Sequence, residues 1–107
     1  MVKASTQTIT RFLIDFKKAL SHGDWEIVER RADYAQMTEM PAKAIKIVLL
    51  GLTPKDYVRG PEADRNGSGE YVWVFLKNGV IERKLYIKLK LINGHAKVLS
   101  FHESLYD

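Results

Sequence analysis

Tyr86, Lys88 and Lys90 alternate with Leu85, Ile87, Leu89 and Leu91, and one turn later the chain reads Ser100-Phe101-His102. Successive side chains of a strand point to opposite faces. One face of this strand is therefore aliphatic, and the other carries a phenol and two ammonium groups. A hydrophobic core asks for the first face only. A phenol, an ammonium and an imidazole together suit cleavage of an RNA phosphodiester, whose 2′-hydroxyl is its own nucleophile. The protein must remove that proton, stabilise negative charge on the phosphoryl oxygens and protonate the leaving 5′-oxygen. An imidazole exchanges a proton near neutral pH, a task open to His102. Lys88 and an arginine would hold the phosphate, and Tyr86 would donate to it or exchange a proton. The same residues also suit plainer roles: cross-strand packing for Tyr86 and solubility for the lysines.

The elements that must position these groups fit one domain spanning residues 1–107. Without cysteine, disulfides, thiolate metal sites and a cysteine nucleophile are excluded. Neither a secretion signal nor a membrane-length apolar run is visible, so the expectation is a soluble, cytoplasmic protein. The formal charge of +4 is unevenly spread. Lys77, Arg83, Lys84, Lys88, Lys90 and Lys97 face the single acid Glu82 between positions 77 and 102. Such concentration suits an anionic partner. There is no cluster of His, Asp and Glu at metal-ligand spacing, no phosphate-binding glycine motif and no nucleophile elbow.

Ile9, Leu13, Phe16 and Leu20 recur at helical spacing, predicting a helix over Thr6 to Ser21 stopped by Gly23. Trp25 to Val28 reads as a short edge strand, and a second helix is expected over Arg30 to Met37. Pro41 would open a third helix, capped from Thr38 or Glu39 and ended by Gly51, with Ile45, Val48 and Leu49 as its face. Thr53-Pro54-Lys55-Asp56 carries the signature of a capped single turn. Arg59 to Glu70, with its glycines and proline, is expected to be one long loop. Tyr71 to Lys77, Val80 to Ile92 and His95 to Glu103 then follow as strands, with Asn78-Gly79 and Asn93-Gly94 at the turns. Helices followed by a meander make an α+β domain, its helices on one face of a small antiparallel sheet.

Two registers are possible at Asn93-Gly94. A two-residue loop pairs Ile92 with His95 and leaves Ser100 on the aliphatic face. A three-residue loop pairs Ile87 with Leu99, Leu85 with Phe101 and Tyr86 with Ser100, which keeps apolar residues together. The apolar pattern favours the three-residue loop, with His102 diagonal to Tyr86 and opposite Lys84. In that register Tyr86, Lys88, Ser100 and His102 share one surface.

The order of elements, Gly51-Leu52-Thr53-Pro54-Lys55-Asp56-Tyr57, the strand Leu85-Tyr86-Ile87-Lys88-Leu89 and the ending Leu99-Ser100-Phe101-His102-Glu103 together resemble the MqsR-type toxins of toxin–antitoxin pairs. Those toxins sit within the RelE-like group of small RNases, and the resemblance runs from about Phe12 to Glu103. It implies an RelE-like fold and an mRNA endonuclease, or mRNA interferase, that needs no metal or cofactor and arrests growth. It also implies a zinc-containing, DNA-binding antitoxin from the neighbouring gene as partner. In that pattern Arg59 follows the Asp-Tyr turn, Tyr86 is the strand tyrosine and His102 takes the last-strand basic position. The family's Trp-Gln-Asp segment, with a glutamine considered catalytic, has no counterpart in Tyr71-Val72-Trp73-Val74-Phe75. The expected catalytic set is Tyr86, His102, Arg59 and Lys88, with Arg65, Lys90, Lys84 and Ser100 as RNA contacts. The alternative is a non-catalytic module whose basic sheet holds RNA or a partner protein.

Overall fold

The computed structural model describes residues 3–28, 41–64, 68–78 and 84–103. The expected helix at 30–37, the caps at Thr38 and Glu39, the Gly79 half of the first turn and residues 80–83 of the long strand lie outside them. So does Arg65.

Helix α1 (Thr6–Ser21) starts where the Ser5 side chain accepts a hydrogen bond from the Thr8 N–H at 3.2 Å. It buries Ile9, Phe12, Leu13, Phe16, Ala19 and Leu20, one continuous stripe. After strand β1 (Trp25–Ile27), helix α2 (Ala42–Leu50) buries Ile45 and Leu49. Pro41 is its cap rather than its first residue. A 3₁₀ turn at Pro54–Asp56 follows, and the Asp56 carboxylate accepts from the Thr53 N–H at 2.8 Å. Two ammonium groups meet the carbonyl end of α2: Lys77 donates to Gly51 O at 3.0 Å and Lys17 to Leu52 O at 2.6 Å. Burial, then repulsion from Lys77, holds the Lys17 ammonium below the usual lysine range, with Asp56 opposing.

Strands β2 (Tyr57–Ala63), β3 (Tyr71–Asn78), β4 (Lys84–Ile92) and β5 (His95–Glu103) complete a five-stranded sheet of order β1-β5-β4-β3-β2. The β2 to β5 neighbours are antiparallel, but β1 runs parallel to β5, so the sheet is mixed rather than purely antiparallel. Trp73, Phe75, Leu85, Ile87, Leu89, Ala96, Val98 and Phe101 form the core face against α1 and α2. Phe12 stacks on Trp73 with ring centroids 4.3 Å apart, and Phe16 is fully buried beside it. Truncating such a ring to alanine costs about 3–5 kcal/mol. Among the described residues no helix is long and apolar enough to cross a membrane.

Two further expectations are corrected. The hairpin joining β4 and β5 has the two-residue loop after all, since Ile92 pairs with His95 and both Asn93 (φ 50°) and Gly94 (φ 79°) are left-handed. An irregularity between Leu89–Val98 and Lys88–Ser100 then adds one residue on β5, Leu99. That extra residue restores the apolar pattern: Ile87 pairs with Phe101, and Ser100 moves off the core face opposite Lys88. The second correction is that Arg59 to Ala63 is not loop. It belongs to β2, where Arg59 pairs with Val74 and Glu62 with Val72, three steps on β2 against two on β3.

Gly60 makes that bulge possible. Its φ is +126°, and an added Cβ would sit 2.7 Å from Val72 O and 2.9 Å from Trp73 Cα. The Gly60–Pro61 peptide is cis. Tyr57 braces the bulge, its phenol donating to Gly60 O at 2.6 Å and accepting from the Ala4 N–H at 3.1 Å. Gly60→Ala is therefore expected to destabilise the fold by about 2–4 kcal/mol in urea unfolding, because both backbone strain and a backbone clash oppose it.

At the opposite edge, His95 Nδ1 lies 2.5 Å from Asp24 Oδ1, and its Nε2 lies 2.6 Å from Glu26 Oε2. This ties β1 and the turn before it to β5. The hydrogen bonds to Asp24 and Glu26 raise the His95 pKa. The charged form is thus favoured by folding, and its contribution is present at low pH and lost as pH rises through the raised value. The stability gap between wild type and His95→Asn should be full below about pH 6.5 and close above it. Thermal melts across pH 5.5 to 8.5 check this, and a gap that widens with pH would contradict it.

Candidate active site on the far face of the sheet

The register of β2 to β5 assembles a row of residues across the face turned away from α1. Arg59 pairs with Val74, Val74 with Lys88 and Lys88 with Ser100. The next row on the same face runs Leu76, Tyr86, His102. Alternation explains it, because Tyr86 and Lys88 lie between the core residues Leu85, Ile87 and Leu89.

Side-chain contacts join the rows. The Tyr86 and His102 rings stack with centroids 5.2 Å apart and planes inclined at 20°. Arg59 Nη2 donates to Tyr86 Oη at 3.2 Å, and Arg59 Nε donates to Glu62 Oε1 at 2.8 Å. Burial alone would lower the Arg59 pKa, but hydrogen bonds and charge from Glu62 and Tyr86 outweigh it and raise it. The Arg59 side chain is 39% exposed, so it is held in place yet open to a ligand. Four expected site residues, Arg59, Tyr86, Lys88 and His102, are thereby brought to one half-buried patch, with Ser100 beside Lys88. This set offers a fixed cation, a phenol and an imidazole in contact. It can bind a phosphate and exchange protons next to it.

The remaining expected residues are placed differently. Lys84 is exposed at the start of β4. Lys90 shares the face of Tyr86 and Lys88 but is only 4% exposed. Its ammonium forms ion pairs with Asp64 and, at 2.7 Å, with Glu70. A buried lysine already held by two carboxylates is not a surface contact for RNA, which corrects the expected role. Lys77 likewise serves the end of α2 and Asp56 rather than the sheet surface. Val72, Val74 and Leu99 are also buried outside the main core cluster, so this face is only partly wet.

Glu62 and Glu70 carry contacts that the sequence reading assigned to neither of them. The signal was present in the spacing Arg59-x-x-Glu62, but two residues three apart on a regular strand face opposite ways. Only the bulge brings them together. Among the described residues no group of three His, Cys, Asp or Glu is placed to hold a metal ion. A separate open cleft of about 710 Å³ lies between α1 and the sheet, lined by Arg11, Phe12, Tyr71 and Trp73 among others. Its lining includes none of Arg59, Tyr86, Lys88 and His102, so the clustered chemistry lies apart from that hollow.

The Lys90 clamp fastens both ends of the segment from Asp64 to Glu70 to β4, and Asp64 N donates to Glu70 O at 2.8 Å. Burial lowers the Lys90 pKa, but its two carboxylates outweigh this and raise it, while Lys90 lowers that of Glu70. The ion pairs therefore strengthen the fold between the ordinary carboxylate and lysine values; the contribution is lost as pH falls through the lowered Glu70 value or rises through the raised Lys90 value. Lys90→Met leaves Asp64 without its ammonium and should cost about 3 kcal/mol in urea unfolding at neutral pH. A change within about 0.5 kcal/mol would show that the clamp does not hold β2.

Comparison of the chain with protein-family models and with curated proteins gives no match.

Proposed function

We propose that the chain is an endoribonuclease acting at Arg59, Tyr86, Lys88 and His102, a toxin of the RelE-like fold similar to the MqsR type. The observation that carries this reading is the continuous contact from Arg59 through the Tyr86 phenol to the His102 ring, one row from Lys88. A phosphodiester laid across these two rows meets cations at its phosphoryl oxygens and proton-exchanging groups beside them.

The 2′-hydroxyl loses its proton and attacks phosphorus. The bond to the 5′-oxygen breaks, that oxygen takes a proton, and a 2′,3′-cyclic phosphate remains. Tyr86 and His102 divide the two proton transfers, and their stacking fixes the distance between them. Arg59 and Lys88 stabilise the charge that builds on the phosphoryl oxygens, where preorganised donors act most strongly. Ser100, opposite Lys88, contributes a further donor to the RNA backbone. An antitoxin from the adjacent gene, containing zinc and binding DNA, neutralises the activity.

Incubation of the purified chain with a long mRNA in EDTA tests the reading. The wild type should give discrete cuts with 2′,3′-cyclic or 3′-phosphate ends. Tyr86→Phe and His102→Ala should each cut at least about 100-fold more slowly with unchanged circular dichroism. Arg59→Ala should lose about 100- to 1000-fold. Discrete cutting that survives in both Tyr86→Phe and His102→Ala sinks the site. RNA left whole, but retained by the protein in a strongly salt-dependent way, points instead to a binding module.

A further inference from the structure

Glu62 is a charged residue of this face that the proposed mechanism leaves without a task. Its position is costly to arrange. On a regular strand Arg59 and Glu62 would point to opposite faces. The three-against-two step with β3, the positive φ of Gly60 and the Tyr57 brace turn both to the same side. The result is a guanidinium fixed at two donors, Nε by Glu62 Oε1 at 2.8 Å and Nη2 by Tyr86 Oη at 3.2 Å. Two contacts on a planar group define its plane and its rotation. The Nη donors remaining after these two contacts then have a set direction toward a phosphate lying against Tyr86.

From this geometry we infer that Glu62 is a positioning residue, orienting Arg59 for the charge that develops in the transition state. The inference rests on the ribonuclease reading of this face. Glu62 touches neither substrate nor reacting atoms in this role; it acts through Arg59. Its removal leaves a mobile arginine with one competing anion fewer. Such an arginine binds the ground-state phosphate at least as well, yet meets the transition state in the wrong orientation. The loss therefore falls on kcat and not on KM. A residue that merely supports the fold has no reason to divide its effect in that way.

Steady-state cleavage of a fluorogenic RNA oligonucleotide, with wild type, Glu62→Ala, Glu62→Gln, Arg59→Ala and the Glu62→Ala/Arg59→Ala double variant, tests this. Glu62→Ala should lower kcat by about 10- to 50-fold with KM unchanged or reduced. Glu62→Gln keeps an oxygen acceptor for Arg59 Nε and should recover most of the loss. The double variant should be no slower than Arg59→Ala, since residues acting as a unit are not additive. Multiplicative losses in the double variant, or a raised KM at unchanged kcat, overturn the role of Glu62 alone. RNA left whole by the wild type overturns the ribonuclease reading and this role with it.

Discussion

The aromatic seam between α1 and β3 is the contact on which the other arrangements rest. Phe12 lies flat on Trp73, and Phe75 is fully enclosed behind it. Tyr57 meets both strand rings edge-on, with centroids 6.2 Å away. That last contact links the core to the outermost strand, because the phenol of Tyr57 reaches on to Gly60 O. Apolar burial thus sets the position of β2, and β2 carries Arg59 and Glu62. The polar face inherits its geometry from the dry one.

Charge is used on this sheet in two ways that differ in solvent access. Around Arg59 it is half exposed, and the pairing with Glu62 and Tyr86 leaves the guanidinium within reach of a ligand. Around Lys90 it is enclosed, and the two carboxylates satisfy the ammonium. Desolvation penalises a buried charge heavily unless partners surround it. Two lysines spaced two apart on β4, Lys88 and Lys90, thereby fall into different roles. Neither the net charge of the chain nor its distribution along the sequence separates them.

The sequence made α1 legible because its apolar residues recur at three and four, and because a glycine follows them. The grouping of Tyr86, Lys88, Ser100 and His102 was legible from alternation and the need to bury Phe101. The route to that grouping was not. Val98-Leu99 breaks alternation with two successive apolar residues, which is the mark of the extra residue on β5. A choice between two loop lengths had no room for it. Strand β2 was hidden for a different reason, since Arg-Gly-Pro-Glu has turn chemistry and no alternating pattern. Its pairing is imposed by tertiary contacts, through Tyr57 and the Lys90 clamp, that local propensity does not encode. The partners of Lys90 lie 26 and 20 positions away in the chain, beyond any local spacing rule.

The bulge in β2 also governs what this edge of the sheet can accept from outside. Among the described strands β2 has β3 as its one neighbour, so its outer side carries the backbone groups that sheet growth would use. Pro61 offers no N–H there, and the uneven step between Arg59 and Glu62 spoils the regular spacing that an incoming strand needs. A second chain therefore finds no continuous ladder to extend. The irregularity that turns an acid toward an arginine also interrupts the ladder that this edge would offer to a second copy.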